Sequence, residues 1–200
     1  MGRRIFFDID RTLVDSNVIR RNGIGLLSEK TRLKKFQIVA LTKEYQAGLS
    51  HKNKYNPWKL AEFVEKNTGG DNLGEIYINK EVYEGSVYPR TKEYLGRLKK
   101  VGYELGIFSE GNYQYQINKL KFGGLSDLFD PKLLIILDKK CRKEAVGKMA
   151  GGVVVDDCRE VISYLTRFGD IRPIWLNRKK EPEVEGVATI YSLEELEKCL

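Results

Sequence analysis

The apolar positions of this chain gather into short, nearly unbroken runs set between longer amphipathic stretches. Ile5-Phe6-Phe7, Tyr103 to Phe108 and Gly152 to Val155 read as strands, Arg172 to Leu176 and Ala188 to Ile190 as two shorter ones, and Leu133 to Leu137 is a further apolar run. Unbroken apolar strands suit a parallel sheet covered on both faces. Between them, Thr91 to Lys100 places Tyr94, Leu95 and Leu98 at helical spacing and meets a stop at Gly102. Tyr113 to Phe122, Lys140 to Met149 and Leu193 to Leu200, the last capped by Ser192, are further predicted helices. Strands alternating with helices predict an α/β fold, a doubly wound parallel sheet.

The alternation is interrupted from about residue 16 to about residue 85, a stretch that reads as helices and loops. Leu33, Phe36, Val39, Ala40 and Leu41 give Thr31 to Ala47 a helical period. Asn56-Pro57 has the form of an N-cap followed by proline in the first turn, opening a helix that buries Leu60, Phe63 and Val64 and stops at Gly69-Gly70-Asp71. A third helical piece is expected over Leu73 to Tyr83. Tyr45, Tyr55 and Trp58 read as the core of this insertion.

Two hundred residues with 42% apolar composition suffice for one α/β core and a small accessory domain. No apolar stretch approaches the roughly 18 residues of a membrane span, and no secretory leader is visible at the N-terminus. Cys141, Cys158 and Cys199 are odd in number and lack metal-ligand spacing, so a reduced, cytoplasmic protein is the expectation. A net charge of +7, from 35 basic and 28 acidic residues, favours anionic partners, phosphorylated metabolites and nucleic acid alike. Most of those lysines read as solvated helix faces. The single histidine, His51, lies in the polar run Ser50 to Lys54, which argues against a His-dependent triad or a His-rich zinc site.

The chemistry concentrates where strands end. Asp8 and Asp10 follow the first strand at i and i+2, a spacing that directs both carboxylates to one side. Alone, they are also compatible with an acidic turn. Ser109 closes a second strand, where it is equally compatible with a helix cap, and Asp156-Asp157 close another. In a parallel sheet those three ends share one edge, the edge on which open α/β sheets bind ligands.

In this order the residues resemble the haloacid dehalogenase (HAD) superfamily, whose members are mostly phosphatases and phosphomutases. Its Asp-x-Asp-x-Thr motif is matched by Asp8, Asp10 and Thr12, its strand-closing Ser or Thr by Ser109 after Gly106-Ile107-Phe108, and its acidic pair by Asp156 and Asp157 after Val153-Val154-Val155. Tyr88-Pro89 through Leu98 and Gly102, then Gln116, Lys119-Leu120, Gly124-Leu125 and Phe129-Asp130, resemble its linking segments. The motif lysine is assigned to Lys140, sixteen positions before Asp156, with Lys139 and Lys143 as alternatives.

The resemblance implies a Rossmann-like core over residues 1–15 and 86–200 and a helical C1-type cap over 16–85, with hinges near 15–18 and 84–88. It implies a Mg²⁺-dependent phosphatase in which Asp8 is the nucleophile, forming an aspartyl-phosphate, and Asp10 the acid and base. Ser109, the backbone amides of Glu110 and Gly111, and Lys140 would hold the phosphoryl group. Asp8, the Asp10 carbonyl and the Asp156-Asp157 pair would hold the metal, with Asp157 favoured as the direct ligand. The expected partner is a small phosphorylated metabolite; a phosphomutase or a nucleic-acid end phosphatase are the alternatives. Asp10 argues against dehalogenation, because the dehalogenases of the superfamily lack it. Arg11 replaces the glycine commonest at its position and is expected to contact substrate or close against the cap.

Overall fold

The computed structural model describes residues 4–51 and 54–200; Lys52 and Asn53 of the polar run around His51 lie outside the described residues. Six parallel strands form one sheet: β1 (Arg4–Phe7), β2 (Glu104–Glu110), β3 (Leu134–Leu137), β4 (Val153–Asp156), β5 (Arg172–Leu176) and β6 (Ala188–Ile190). Their order is β3-β2-β1-β4-β5-β6. The chain winds outward from β1 toward β3 on one side and from β4 toward β6 on the other. The carboxyl end of β1 therefore faces the crevice where the winding reverses, the place where such sheets bind ligands.

Both faces of β1 are buried, as its sequence requires. Ile5 and Phe7 join the larger apolar cluster, whereas Phe6 packs on the opposite face with Phe108, Met149 and Val154. The Phe6 ring presses so closely on β2 that a Cβ at Gly106 would lie 2.6 Å from it. Any side chain there would push β2 off β1.

The chain leaves the sheet after β1 for α1 (Ser16–Thr31), α2 (Lys35–Ala47) and α3 (Pro57–Thr68), and returns at Val87, which bridges Val14. The Asp15 amide donates to the Ser86 carbonyl at 2.7 Å and the Tyr88 amide to that of Leu13 at 3.1 Å, so the two connecting strands are tied together. The helix expected over Thr31 to Ala47 is divided: Arg32 takes a left-handed conformation, φ 59°, ending α1, and Lys34 is extended before α2. Asn56 caps α3 as its sequence predicts, accepting from the Trp58 and Lys59 amides, and Gly69 ends it at φ 69°. Leu73 to Tyr83 forms two 3₁₀ segments, parted at the extended residue Asn79. Tyr45, Tyr55 and Trp58 are partly buried and pack on the apolar cluster, Trp58 edge-on to Tyr77 and Tyr115.

In the remainder, α4 (Thr91–Lys100) and α5 (Tyr113–Phe122) have the predicted bounds. The helix predicted over Lys140 to Met149 shrinks to α6 (Lys143–Gly147), so Lys140 belongs to the loop before it. After α7 (Arg159–Leu165), the closing segment Leu193–Cys199 is a 3₁₀ helix, and Ser192 makes no side-chain cap. Glu195 instead reaches back to the Tyr191 amide at 2.7 Å.

Candidate active site

Asp8 directly follows β1, and its amide still bonds the Val155 carbonyl of β4 at 3.0 Å. Its carboxylate, almost entirely buried, receives the Ser109 hydroxyl at 3.0 Å and the Lys140 ammonium at 2.5 Å on the same oxygen, Oδ1. Ser109 lies within β2, so its side chain is set by the pleat. The cap of α5 is Asn112, which accepts from the Tyr115 amide, and this resolves the alternative for Ser109.

Lys140 comes from a loop yet is held from three sides. Its ammonium bridges Asp8 and Asp156, the latter at 2.6 Å, and its backbone amide donates to Glu110 Oε2 at 2.7 Å. Burial pushes the ammonium toward losing its proton, but Asp156 and Asp8 outweigh this and hold its pKa well above that of an ordinary lysine. Among the three candidate lysines, Lys140 is the one within the carboxylate cluster. The expectation for the neighbouring amides changes accordingly. Gly111 N–H is committed to the Leu137 carbonyl at 2.8 Å, and Glu110 contributes a carboxylate that anchors Lys140.

Asp10 turns away from Asp8 toward α5. Lys119 Nζ reaches its two oxygens at 2.6 and 2.8 Å, Gln116 Nε2 donates at 2.8 Å, and the Ser16 hydroxyl at the start of α1 donates as well. Burial alone would raise the Asp10 pKa, but the Lys119 charge and the hydrogen bonds from Lys119, Ser16 and Gln116 bring it down to about 2. Asp8 shows the opposite outcome. Burial pushes it up to about 7, with Lys140 opposing and Asp156, Asp10 and Asp157 adding to the rise. The two motif carboxylates are thus shifted in opposite directions, Asp8 toward holding its proton and Asp10 toward losing it.

Sequence reasoning assigned Gln116 and Lys119 to a linking segment and gave Ser16 no role. The signal was available: Gln116 and Lys119 stand at i and i+3 on a helix that begins at the site, so they share a face.

Asp156 and Asp157 complete the cluster. Asp156 Oδ1 accepts from the Cys158 amide at 2.8 Å while Oδ2 holds Lys140. Asp157 pairs with Arg11 at 3.1 Å; burial raises its pKa to about 6, with Arg11 opposing and Asp156 adding. Arg11 adopts φ 60°, the left-handed region, which explains why glycine is common at this position. Its carbonyl and that of Thr12 are gripped by the Arg178 guanidinium at 3.1 and 3.0 Å, which lies 4.0 Å from the centre of the Tyr88 ring. The strained turn is therefore held from outside the motif.

Asp8, Asp156 and Asp157 each offer one carboxylate oxygen, and the three oxygens lie within 4.8 Å of one another. Such hard donors suit Mg²⁺. Asp156 and Asp157 push up the proton affinity of Asp8, and Asp156 that of Asp157, a like-charge repulsion that a divalent ion would relieve. Above the cluster lies a cavity of about 370 Å³, lined on the far side by residues of α1, α2 and α3 and by Tyr55 and Tyr77. No helix among the described residues is long and apolar enough to cross a membrane.

Comparison with known proteins agrees with this geometry. Residues 5–140 match the haloacid dehalogenase-like hydrolase family. A glyceraldehyde 3-phosphate phosphatase of Pyrococcus abyssi is 30% identical over 140 residues, 65% of this chain and 58% of that protein. The aligned region thus spans little more than half of that relative's length. Among solved structures, the HAD-hydrolase YfnB of Bacillus subtilis, bound to magnesium, superposes with a TM-score of 0.68 at 18% identity over 100% of this chain and 98% of its own. A HAD phosphatase of Thermococcus onnurineus gives 0.60 at 24% identity over 100% and 97%. At these identities the structural likeness establishes the fold.

Proposed function

The chain belongs to the haloacid dehalogenase-like hydrolases, and from that membership we propose that it is a Mg²⁺-dependent phosphatase, cleaving a small phosphate monoester through a phosphoryl group carried on Asp8. The observation that carries this reading is the convergence of the Ser109 hydroxyl and the Lys140 ammonium on one oxygen of Asp8. Two donors aimed at that point are placed to receive the oxygens of a phosphoryl group as it meets the carboxylate. The Pyrococcus relative, a phosphatase of glyceraldehyde 3-phosphate, points the same way.

Asp8 would attack phosphorus, forming an acyl phosphate as the bond to the leaving oxygen breaks, and Asp10 would protonate that oxygen. Asp10 would then take a proton from the water that attacks the acyl phosphate, releasing inorganic phosphate and restoring Asp8. In the arrangement described Asp10 is held ionised, the state from which a proton can be taken in the second half. A phosphate dianion bound beside it raises its proton affinity, as the first half needs. Asp8, Asp156 and Asp157, with the Asp10 carbonyl, would hold Mg²⁺, which supplies positive charge against the phosphoryl oxygens. Ser109 and Lys140 orient those oxygens and neutralise their charge.

The helices of residues 16–85 fit the role of a cap. They line the cavity; the chain enters and leaves them through the segments bridged at Val14 and Val87, and they rest on α5 through Tyr77, whose carbonyl accepts from Asn118 Nδ2 at 3.0 Å. Phosphate release from p-nitrophenyl phosphate tests the proposal. Release that requires Mg²⁺, stops in EDTA and is abolished by Asp8→Asn is expected; release that survives Asp8→Asn would refute it.

A further inference from the structure

The two ends of the cavity differ in chemistry. One end is the carboxylate cluster; the other is walled by Ile19, Ile24 and Leu27 of α1, Leu60 of α3, Tyr55 and Tyr77. Ile19, Gly23 and Leu27 recur at helical spacing on the buried face of α1, and at Gly23 the Tyr77 hydroxyl lies 3.5 Å from the Cβ position, so α1 and Tyr77 close together over the site. At about 370 Å³ the cavity lies near the small end of ligand-binding cavities.

Polar side chains along this cavity are largely committed to the protein itself. Thr42 Oγ1 donates to the Ile38 carbonyl at 2.8 Å, the Asn112 carbonyl caps α5, and Gln116 Nε2 serves Asp10 and the Glu110 carbonyl, whereas Gln116 Oε1, beside the carboxylate cluster, is a buried acceptor without a partner. Arg20 and Gln46, the other polar groups on the insertion side, are solvent-exposed. A leaving group with many hydroxyls would give up water there for few partners, at about 1–3 kcal/mol for each unmatched group. An apolar body would gain from the same walls.

We propose that this upper chamber is a leaving-group subsite for a compact apolar or aromatic alcohol. Aryl and short alkyl phosphate monoesters are then preferred over polyhydroxylated sugar phosphates. The inference deepens the phosphatase reading and rests on it for the reaction, but the recognition can be measured without catalysis.

Calorimetric titration of the full chain with phenylphosphonate and methylphosphonate, in Mg²⁺, reads the subsite with ligands whose carbon–phosphorus bond the proposed reaction does not cleave. Phenylphosphonate is expected to bind at least about tenfold tighter, since its ring buries apolar area that a methyl group does not. Ile24→Asn, at a partly buried position, is expected to shrink that ratio to about threefold or less while leaving methylphosphonate unchanged. Equal affinities for the two phosphonates in the unsubstituted protein would overturn the subsite, as would an Ile24→Asn change that weakens both alike.

Hydrolysis supplies the second arm. Benzyl phosphate, whose leaving alcohol is about as basic as that of a polyol, is expected to exceed glycerol 3-phosphate in kcat/KM by at least about tenfold, the discrimination an apolar pocket provides, and a preference for the glycerol phosphate would overturn the proposal. Tighter phenylphosphonate binding with no hydrolysis of either ester would support the subsite and count against the phosphatase reading.

Discussion

Replacing Asp8 by asparagine should stabilise the metal-free protein at pH 8, whereas the same change at Asp10 should destabilise it. Burial raises the Asp8 pKa from 3.8 to about 7. The unfolded chain gives up this proton at much lower pH than the native state does. Its contribution to stability is therefore fully present below the unfolded value and lost as pH rises through about 7. Rather more than three pKa units correspond to a loss of about 4 kcal/mol above that pH. Asparagine mimics the protonated carboxyl, but its amide offers Lys140 and Ser109 a poorer acceptor, which takes back about 1–2 kcal/mol. A net gain of about 2 kcal/mol at pH 8 remains, or about 4–8 °C in Tm for a chain of this size. At pH 5 less than half of the loss has developed, and the gain should be near zero.

Asp10 has the opposite sign. Its pKa is lowered to about 2, so it contributes about 2 kcal/mol that is present above pH 4 and lost as pH falls toward 2. Asp10→Asn should therefore lose about 2 kcal/mol or slightly more at both pH 5 and pH 8, with partial exposure of its carboxylate trimming the figure. Thermal unfolding followed by circular dichroism in EDTA at the two pH values measures both variants. The reasoning is refuted if Asp8→Asn melts below the unsubstituted protein at pH 8, or if its gain is the same at pH 5.

Three further outcomes follow from the same contacts. Lys119→Met removes the cation that grips both Asp10 oxygens and should lower kcat by about a hundredfold, the range of a misplaced acid–base group, with Lys119→Arg restoring part of it; steady-state kinetics on p-nitrophenyl phosphate decides. Arg11→Gly frees Asp157 of its ion-pair partner and relaxes a left-handed turn, so Mg²⁺ binding measured by calorimetry should tighten by about three- to tenfold as one positive charge leaves the site; unchanged affinity would show that the pair does not compete with the metal. Asn56→Ala removes two capping bonds of α3 and should cost about 1 kcal/mol in chemical denaturation, with the phosphonate affinities left intact.

Much of this arrangement was legible in the sequence because it is encoded locally. An unbroken apolar run such as Ile5-Phe6-Phe7 fits only a strand buried on both sides, and Asn56-Pro57 and Gly69 mark helix ends through backbone geometry that the residues themselves dictate. The strand-closing Ser109 and the carboxylates followed from the shared edge of a parallel sheet. What escaped was tertiary. The break at Arg32 needs a non-glycine residue in a left-handed conformation, which no propensity announces. Lys140 stands in a loop because Glu110 and two carboxylates hold it, not because a helix starts there. The Gly111 amide is drawn into the sheet by Leu137, a residue 26 positions away. Lys119 reads as one more surface lysine until α5 is laid against Asp10, where it is nearly fully buried.

Trapping the phosphoryl group is the most direct measurement. The Asp10→Asn variant, deprived of the base for the second half-reaction, is mixed with p-nitrophenyl phosphate and Mg²⁺, quenched in acid and mapped by peptide mass spectrometry. A phosphoryl group on Asp8 is expected, absent in EDTA and absent when Asp8 is also replaced. Continued release of p-nitrophenol by the unsubstituted protein with the group on no residue, or on any residue other than Asp8, would contradict the mechanism.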